Sequence, residues 1–319
     1  MSSQDIIHEW KLVPIGRGSF ATVSILLGRP VAFKHVIHAT RTPELKTEFE
    51  TLCALYSHGF CNADSFFAIP RPLAYYNPEP PSSFVSPYGS PISKQQSWAP
   101  RPFVNEDDFK ALKLDTAAYA MDQVLPLPLS TALNIRTLFY PPGASGAAIP
   151  SLCRLYFGKT LDGHPSRFFN SSNFPLDVSR YRHLLDAASE GNNYPTLDEI
   201  AIGMGEMLGR MHWLAGYDGR DIEFVMGGGS FSGIAMNVID FNQMRIWSRE
   251  KDKIHQLIEA FFTNDPYYPR PRPNDQLYQM FCIGYIEAHP KDVKGAVELA
   301  EAFLHGIEAE QAKRDSPKA

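Results

Sequence analysis

Cysteine is scarce: Cys53, Cys61, Cys153 and Cys282 are the only four in 319 residues, with no CxxC pair and no histidine at zinc-finger spacing. That supports neither a disulfide framework nor a structural zinc site, and points to a reduced compartment. Long apolar runs are missing too, none approaching the roughly 18 residues a membrane span needs. The first residues, MSSQDIIHEWKLV, lack the basic-then-apolar order of a secretory leader. The expected location is therefore cytoplasmic, without a membrane partner. Basic charge is in deficit, 30 Lys and Arg against 35 Asp and Glu for a net −5. Wholesale binding of nucleic acid by charge alone is not expected, and composition does not suggest RNA as a partner, although an acidic total can still hold a local basic face; no DNA partner is expected. No internal repeat and no Gly-x-Ser-x-Gly elbow for an acyl-serine occurs, which leaves lone serines such as Ser19 or Ser230 without a signature. The chain does have 44% hydrophobic residues, enough for one large core or two smaller ones.

Periodicity divides the chain. WKLVPIG, ATVSILLG and VAFKHVI alternate as strands do, whereas TPELKTEFETLCALYSHG has apolar spacing near 3.6. From about 61 to 116 the composition turns to Pro, Ser and Asn, which reads as a surface loop insertion. YAMDQVLPLP then reads as a buried strand with a Pro-rich connector. Thr196 and Glu199 stand in capping-box spacing before TLDEIAIGMGEMLGRMHWLAG, which places Met204, Met207, Leu208 and Met211 on one face of a core helix ending at Gly216. Amphipathic stretches follow at 253–262, 276–288 and 293–312. The expectation is α+β: a β-rich N-terminal lobe over 1–125 with its insertion, and a mainly helical lobe over 126–319.

Chemistry concentrates in two places. IGRGSFATV sets Gly16 and Gly18 between two strands, where backbone amides can approach an anion, though a plain hairpin turn has the same look. Lys34 on the third strand and Glu48 on the following helix are ordered as a lysine and glutamate that pair to hold a nucleotide phosphate; two solvated charges are the plainer alternative. Farther on, YDGRDIEFVMGGGS carries Asp218, Asp221 and Glu223, and NVIDFNQ adds Asp240. Four carboxylates this close repel unless a cation or shared protons relieve them, so their pKa values should separate. Solvent exposure of some of them, Asp221 first, is the alternative. His212 and Trp213 lie on the core helix as packing residues.

The order of these motifs resembles the protein-kinase-like fold. By that resemblance the chain is two-lobed, Asp218 stands at the catalytic-base position, Glu223 replaces the metal-binding amide, Asp240 takes the magnesium-binding position and Asn242 replaces the glycine after it. The departures are Ala21 at a usual loop glycine, the missing HRD tripeptide, and the extra Asp221. A narrower likeness runs through CRLYFGK (153–159), MHWLAGYDGRDIEFVMGG, IDFN and NDPYYPRP (264–271). These blocks resemble a fungal family of unknown-function domains, often labelled zinc-finger-like, some of whose members are arginine-containing cyclodipeptide synthases. The resemblance implies an enzyme that joins arginine from arginyl-tRNA to a second amino acid from its own aminoacyl-tRNA as a diketopiperazine. It implies no cofactor and no metal, and downstream tailoring enzymes as pathway partners. It carries an essential acidic motif onto Asp218, Asp221 and Glu223, with Asp218 expected as general base and the other two orienting the guanidinium or the amine.

RNA contacts are expected from Arg154, Lys159, Arg270 and Arg272. The span that also holds Arg167, Arg180 and Arg182 is a second basic stretch, and the tyrosines of DPYYPRPRP can stack on bases. A Pro-rich loop packed on the helical lobe is the plainer reading of that last motif. Two rivals remain: a magnesium-dependent phosphotransferase with Lys34 and Glu48 on the nucleotide, Asp218 as base and Asp240 with Glu223 holding magnesium, in a kinase-like pocket that also takes in Gly16, Gly18 and Asn242, and an inactive pseudokinase scaffold.

Overall fold

The computed structural model describes residues 11–57, 65–87, 104–141, 143–144, 148–161, 171–188, 194–229, 233–263 and 267–316. The strands in chain order are β1 (Leu12–Arg17), β2 (Ala21–Leu26), β3 (Val31–Val36), β4 (Phe67–Ala68), β5 (Pro72–Asn77), β6 (Ser83–Val85), β7 (Ala118–Asp122), β8 (Leu152–Tyr156), β9 (Asn173–Asp177), β10 (Glu223–Gly228) and β11 (Ile234–Ile239). The helices are α1 (Thr42–Leu55), α2 (Glu106–Ala111), α3 (Leu129–Phe139), α4 (Val178–Asp186), α5 (Leu197–Arg210), α6 (Ile254–Thr263), α7 (Gln276–Glu287) and α8 (Ala296–Asp315). The fold is α+β, with an antiparallel sheet in the N-terminal part and helices dominating the C-terminal part. Two compact units result, Met1–Cys53 with Pro70–Val124, and Ala54–Ile69 with Leu125–Ala319.

The first unit is built on a six-stranded antiparallel sheet in the order β1-β2-β3-β7-β5-β6. Its core gathers Leu26, Val31, Phe33, Leu73, Tyr76 and Phe109, the rings of Phe33 and Phe109 meeting edge to face at 5.5 Å. Lys34 is the anomaly of the central strand. It is only 8% exposed among apolar neighbours, and a buried cation is tolerable only when paired. Glu48 of α1 supplies the pair at 2.6 Å, and Tyr119, opposite Lys34 on β7, donates its hydroxyl to the same carboxylate oxygen at 3.1 Å.

The stretch expected as one loop insertion over 61–116 is largely structured where it is described. β5, PLAYYN, lies buried between β7 and β6, and α2 begins at a capping box made by Asn105 and Asp108 and buries Phe109 completely. The Pro and Ser around them lowered the average composition, while the short apolar runs that decide burial were still present. Residues 61–64, Cys61 among them, and 88–103 of that expectation lie outside the described residues.

The second unit has a five-stranded sheet, β4-β11-β10-β8-β9. β10 runs antiparallel to both neighbours, and the outer pairs β4 with β11 and β8 with β9 are parallel. α5 starts at the Thr196 and Glu199 capping box, buries Met204, Met207 and Leu208, and widens into a π turn at Met211–Ala215. Gly216 closes it at φ 72°, a left-handed conformation that glycine adopts without steric cost.

Candidate functional site

Strand register brings the acidic motif together. Glu223, the first residue of β10, pairs with Ile239, the last residue of β11, so Asp240 follows at Glu223's side. Asp221 and Asp240 both hold left-handed backbone, at φ 60° and 65°. Aspartate tolerates this region better than most residues, and such strain is characteristic of functional turns. Asp221 also accepts a short hydrogen bond from the Gln243 side chain.

Alternation along β8 then supplies Glu223 with a partner. Cys153 and Leu155 are buried on one face, which leaves Arg154 and Tyr156 on the other. Arg154 faces Val225, two residues along from Glu223, and reaches diagonally to it with Nη2 to Oε1 at 2.9 Å. Tyr156 hydrogen-bonds Arg154, Tyr267 hydrogen-bonds Glu223, and the two tyrosine rings lie 5.0 Å apart. Three of the blocks singled out in the sequence (153–159, the acidic loop and IDFN) and the described part of a fourth (267–271) thus converge on one carboxyl group.

That carboxyl titrates far from its ordinary range. The Glu223 side chain is 15% exposed, and its pKa is pushed up to about 7. Burial is the largest cause, Asp240 and Asp221 add to it, and Arg154 and Tyr267 oppose it. Burial by itself disfavours the Arg154 cation, but Glu223 with the nearby tyrosines more than restores it, so its pKa is raised. A carboxyl poised near neutrality beside two further carboxylates suits proton transfer at cellular pH.

Asp218 belongs to a different network. Its side chain is fully buried, Oδ1 accepting from the backbone amides of Arg245 and Arg220 at 2.9 and 3.2 Å, and Oδ2 from Arg245 Nε and Gln256 Nε2 at 2.6 and 3.2 Å. Four donors use all the lone-pair positions of a carboxylate. Asp218, expected as general base, is thus held by donors from three residues, an arrangement that ties the loop to Arg245 and Gln256. Arg245 and Arg220 continue the network to Glu259. His212 completes the support, its ring nitrogens meeting the Tyr285 hydroxyl at 2.7 Å and the Asp218 carbonyl at 3.3 Å. Burial, then His289, lowers its pKa to about 3, so it is a neutral packing group.

The remaining candidates are dispersed. Gly18 donates its amide to Ala21 O at 2.9 Å, which ties that amide into its own turn; Gly16 pairs with Val23 next to a register shift in β1, and a Cβ there would meet nothing within 4 Å. Lys34 and Glu48 pair as described. Asn242 is half-buried, and its Oδ1 has no partner among the described residues. Arg154, an expected RNA contact, pairs with Glu223 and keeps about a third of its side chain exposed, at 34%. Lys159, Arg270 and Arg272 line one cavity, together with Arg182. Arg180 packs over the Phe174 ring. Arg167, Ser230 and residues 264–266 of NDPYYPRP lie outside the described residues. Tyr156, Gln256 and Arg245 escaped the sequence reading. The period-2 pattern of CRLY was the available signal for Tyr156.

Residues 236–302, well under half of the chain, match a family described as "DUF3669: Zinc finger protein". No curated protein matches the chain. The matched stretch holds one cysteine, Cys282, and two histidines, His255 and His289, short of the four ligands a zinc finger needs. Cys282 has its pKa pushed up to about 11 by burial, which disfavours the thiolate a metal requires. Among the described residues no group of three or more His, Cys, Asp or Glu is arranged to hold a metal ion.

Proposed function

We propose that this protein is an acyl-transfer enzyme of kinase-like fold that forms a peptide bond from aminoacyl-tRNAs, joining arginine to a second amino acid as a cyclic dipeptide. The observation that carries this reading is the Glu223 carboxyl, half-buried, near pH 7 in its titration and flanked by Asp221 and Asp240. An aminoacyl ester is already activated, so the protein has only to remove a proton from the attacking α-amine and hold the cationic side chain. Glu223 serves as the base, because its pKa lies close to that of an α-amine, roughly 8. Asp221 and Asp240 supply the negative field that attracts a guanidinium. Asp218 positions the loop through Arg245 and Gln256.

The test is mass spectrometry of extracts from a host expressing the chain. An arginine-containing diketopiperazine is expected with the wild type and is expected to vanish with Glu223→Gln, which keeps a side chain of the same shape. Asp218→Asn is expected to lose product together with thermal stability, a pairing that Glu223→Gln does not show. Product persisting in soluble Glu223→Gln removes Glu223 from the chemistry.

The Lys34–Glu48 pair at 2.6 Å favours a second reading, a phosphotransferase in which that lysine meets a nucleotide phosphate. Against it stands Glu223, which holds a guanidinium where a kinase holds magnesium through an amide. Saturable magnesium-dependent ATP binding with turnover would favour it.

A further inference from the structure

Residues 157–160, the starts of α4, α5 and α7, and the stretch from Arg270 border a half-open cavity of about 510 Å³, within the size range of small-ligand pockets. Lys159, Arg182, Arg270 and Arg272 line it. These cations come from three stretches remote in sequence, so the fold collects them and local composition does not. Asp177, Asp198 and Asp275 share the wall, but each has donors inside the protein. Asp177 accepts from the amides of Leu161 and Arg180, at 2.5 and 2.8 Å. Asp275 caps α7 through the Tyr278 amide, and Asp198 accepts from the Gln276 side chain, both at 3.0 Å. Arg272 is shared with Asp315 of α8. Lys159 and Arg182, by contrast, are exposed and make no ion pair among the described residues.

The first turns of α4, α5 and α7 border the cavity through Val178 and Ser179, Leu197, and Gln276 and Leu277, positions at which a helix leaves its amides unbonded. Guanidinium forks, an ammonium and such amides together match an anion with several oxygens. The cavity also adjoins the carboxylate centre along the chain. The segment holding Arg154 and Tyr156 runs on into Phe157–Thr160, the segment holding Tyr267 runs on to Arg270, and the Phe157 amide donates to Tyr267 O at 2.9 Å.

We propose that this cavity is a phosphate-binding site, and that the phosphates it seats belong to an RNA backbone. The assignment to RNA rests on the function proposed above; the phosphate site does not. The test is fluorescence anisotropy with a labelled RNA hairpin ending in a single-stranded 3′ CCA, and calorimetric titration with sodium triphosphate, on wild type and on a Lys159→Gln, Arg182→Gln double variant. Both substitutions are at exposed side chains, and circular dichroism checks the fold.

The double variant is expected to bind the RNA about tenfold more weakly, with a salt slope shallower by roughly 1.4, about 0.7 for each lost contact to a single strand. RNA that binds the wild type and loses affinity in the double variant identifies the backbone as the ligand. Triphosphate binding that the double variant weakens, with no binding of the RNA, keeps the phosphate site and assigns it to a compact polyphosphate. A double variant that binds both probes as the wild type does, or a wild type that binds neither at low ionic strength, overturns the proposal. Glu223→Gln is expected to bind both probes unchanged, so failure here is distinguishable from failure of the carboxylate chemistry, which is read as product.

Discussion

Two carboxylates five positions apart, Asp218 and Glu223, illustrate how environment divides labour between identical groups. Asp218 is buried and Glu223 half-buried, and Asp218 is met by four donors, Glu223 by one guanidinium, one hydroxyl and two like charges. The sequence announced the cluster through its spacing, but not which member would be solvated by protein, because Arg245 and Gln256 approach from beyond the motif. His212 behaves similarly: a core histidine was legible from its helix, its two polar contacts were not. Its burial has a measurable consequence. An unfolded chain protonates this histidine below about 6.5, whereas the folded protein keeps it neutral down to about 3. Unfolding therefore takes up a proton in that window, and stability falls as pH drops through it. Relative to a His212→Gln variant, the wild type should lose about 1.4 kcal/mol per pH unit between pH 6 and 4, measured by urea denaturation. Parallel pH slopes for the two proteins would show that His212 titrates normally.

At the scale of elements, α5 and α7 touch backbone to backbone. A Cβ on Gly205 would lie 2.0 Å from the Phe281 carbonyl oxygen, and one on Gly284 would lie 2.0 Å from that of Ile202. Alanine is the better helix former by about 1 kcal/mol, so on propensity alone Gly205→Ala would stabilise α5. Packing reverses the sign: the helices must separate, and a loss of roughly 1–3 kcal/mol is expected from overpacking, read as a lower denaturant midpoint. A raised midpoint would mean that the two helices do not meet at Gly205. The sequence disclosed both helices through their apolar periodicity but not their pairing, since nothing in GMGEMLG or FCIGYIE says which glycine faces which. β5 was lost for the complementary reason. Its PLAYY run is five residues long, and a Pro- and Ser-rich neighbourhood outweighed it when composition was averaged.

For the molecule as a whole, β1 to β3, β7, α1 and α5 to α8 were readable from hydrophobic period, because burial acts locally on each element, whereas β4 to β6, β8, β9 and α2 to α4 were not. The candidate centre was readable only as a set of blocks, 153–159, the acidic loop, IDFN and the tyrosines before Pro269. Their meeting point depends on the register of β8, β10 and β11, which is a property of the folded sheet. The pairing of Lys34 with Glu48 was anticipated from order alone, yet its burial against Tyr119 was not. Glu223 also makes the protein's proton count responsive to its ligands. Near pH 7 this group is about half protonated, and any cation that settles beside it favours the ionised form and expels the remaining proton into solvent. Binding of arginine amide, a small stand-in for an arginyl ester, should therefore give a heat at pH 7 that depends on the buffer's own ionisation enthalpy, and Glu223→Gln should abolish that dependence. A substrate carrying its own positive charge would then arm the base by arriving.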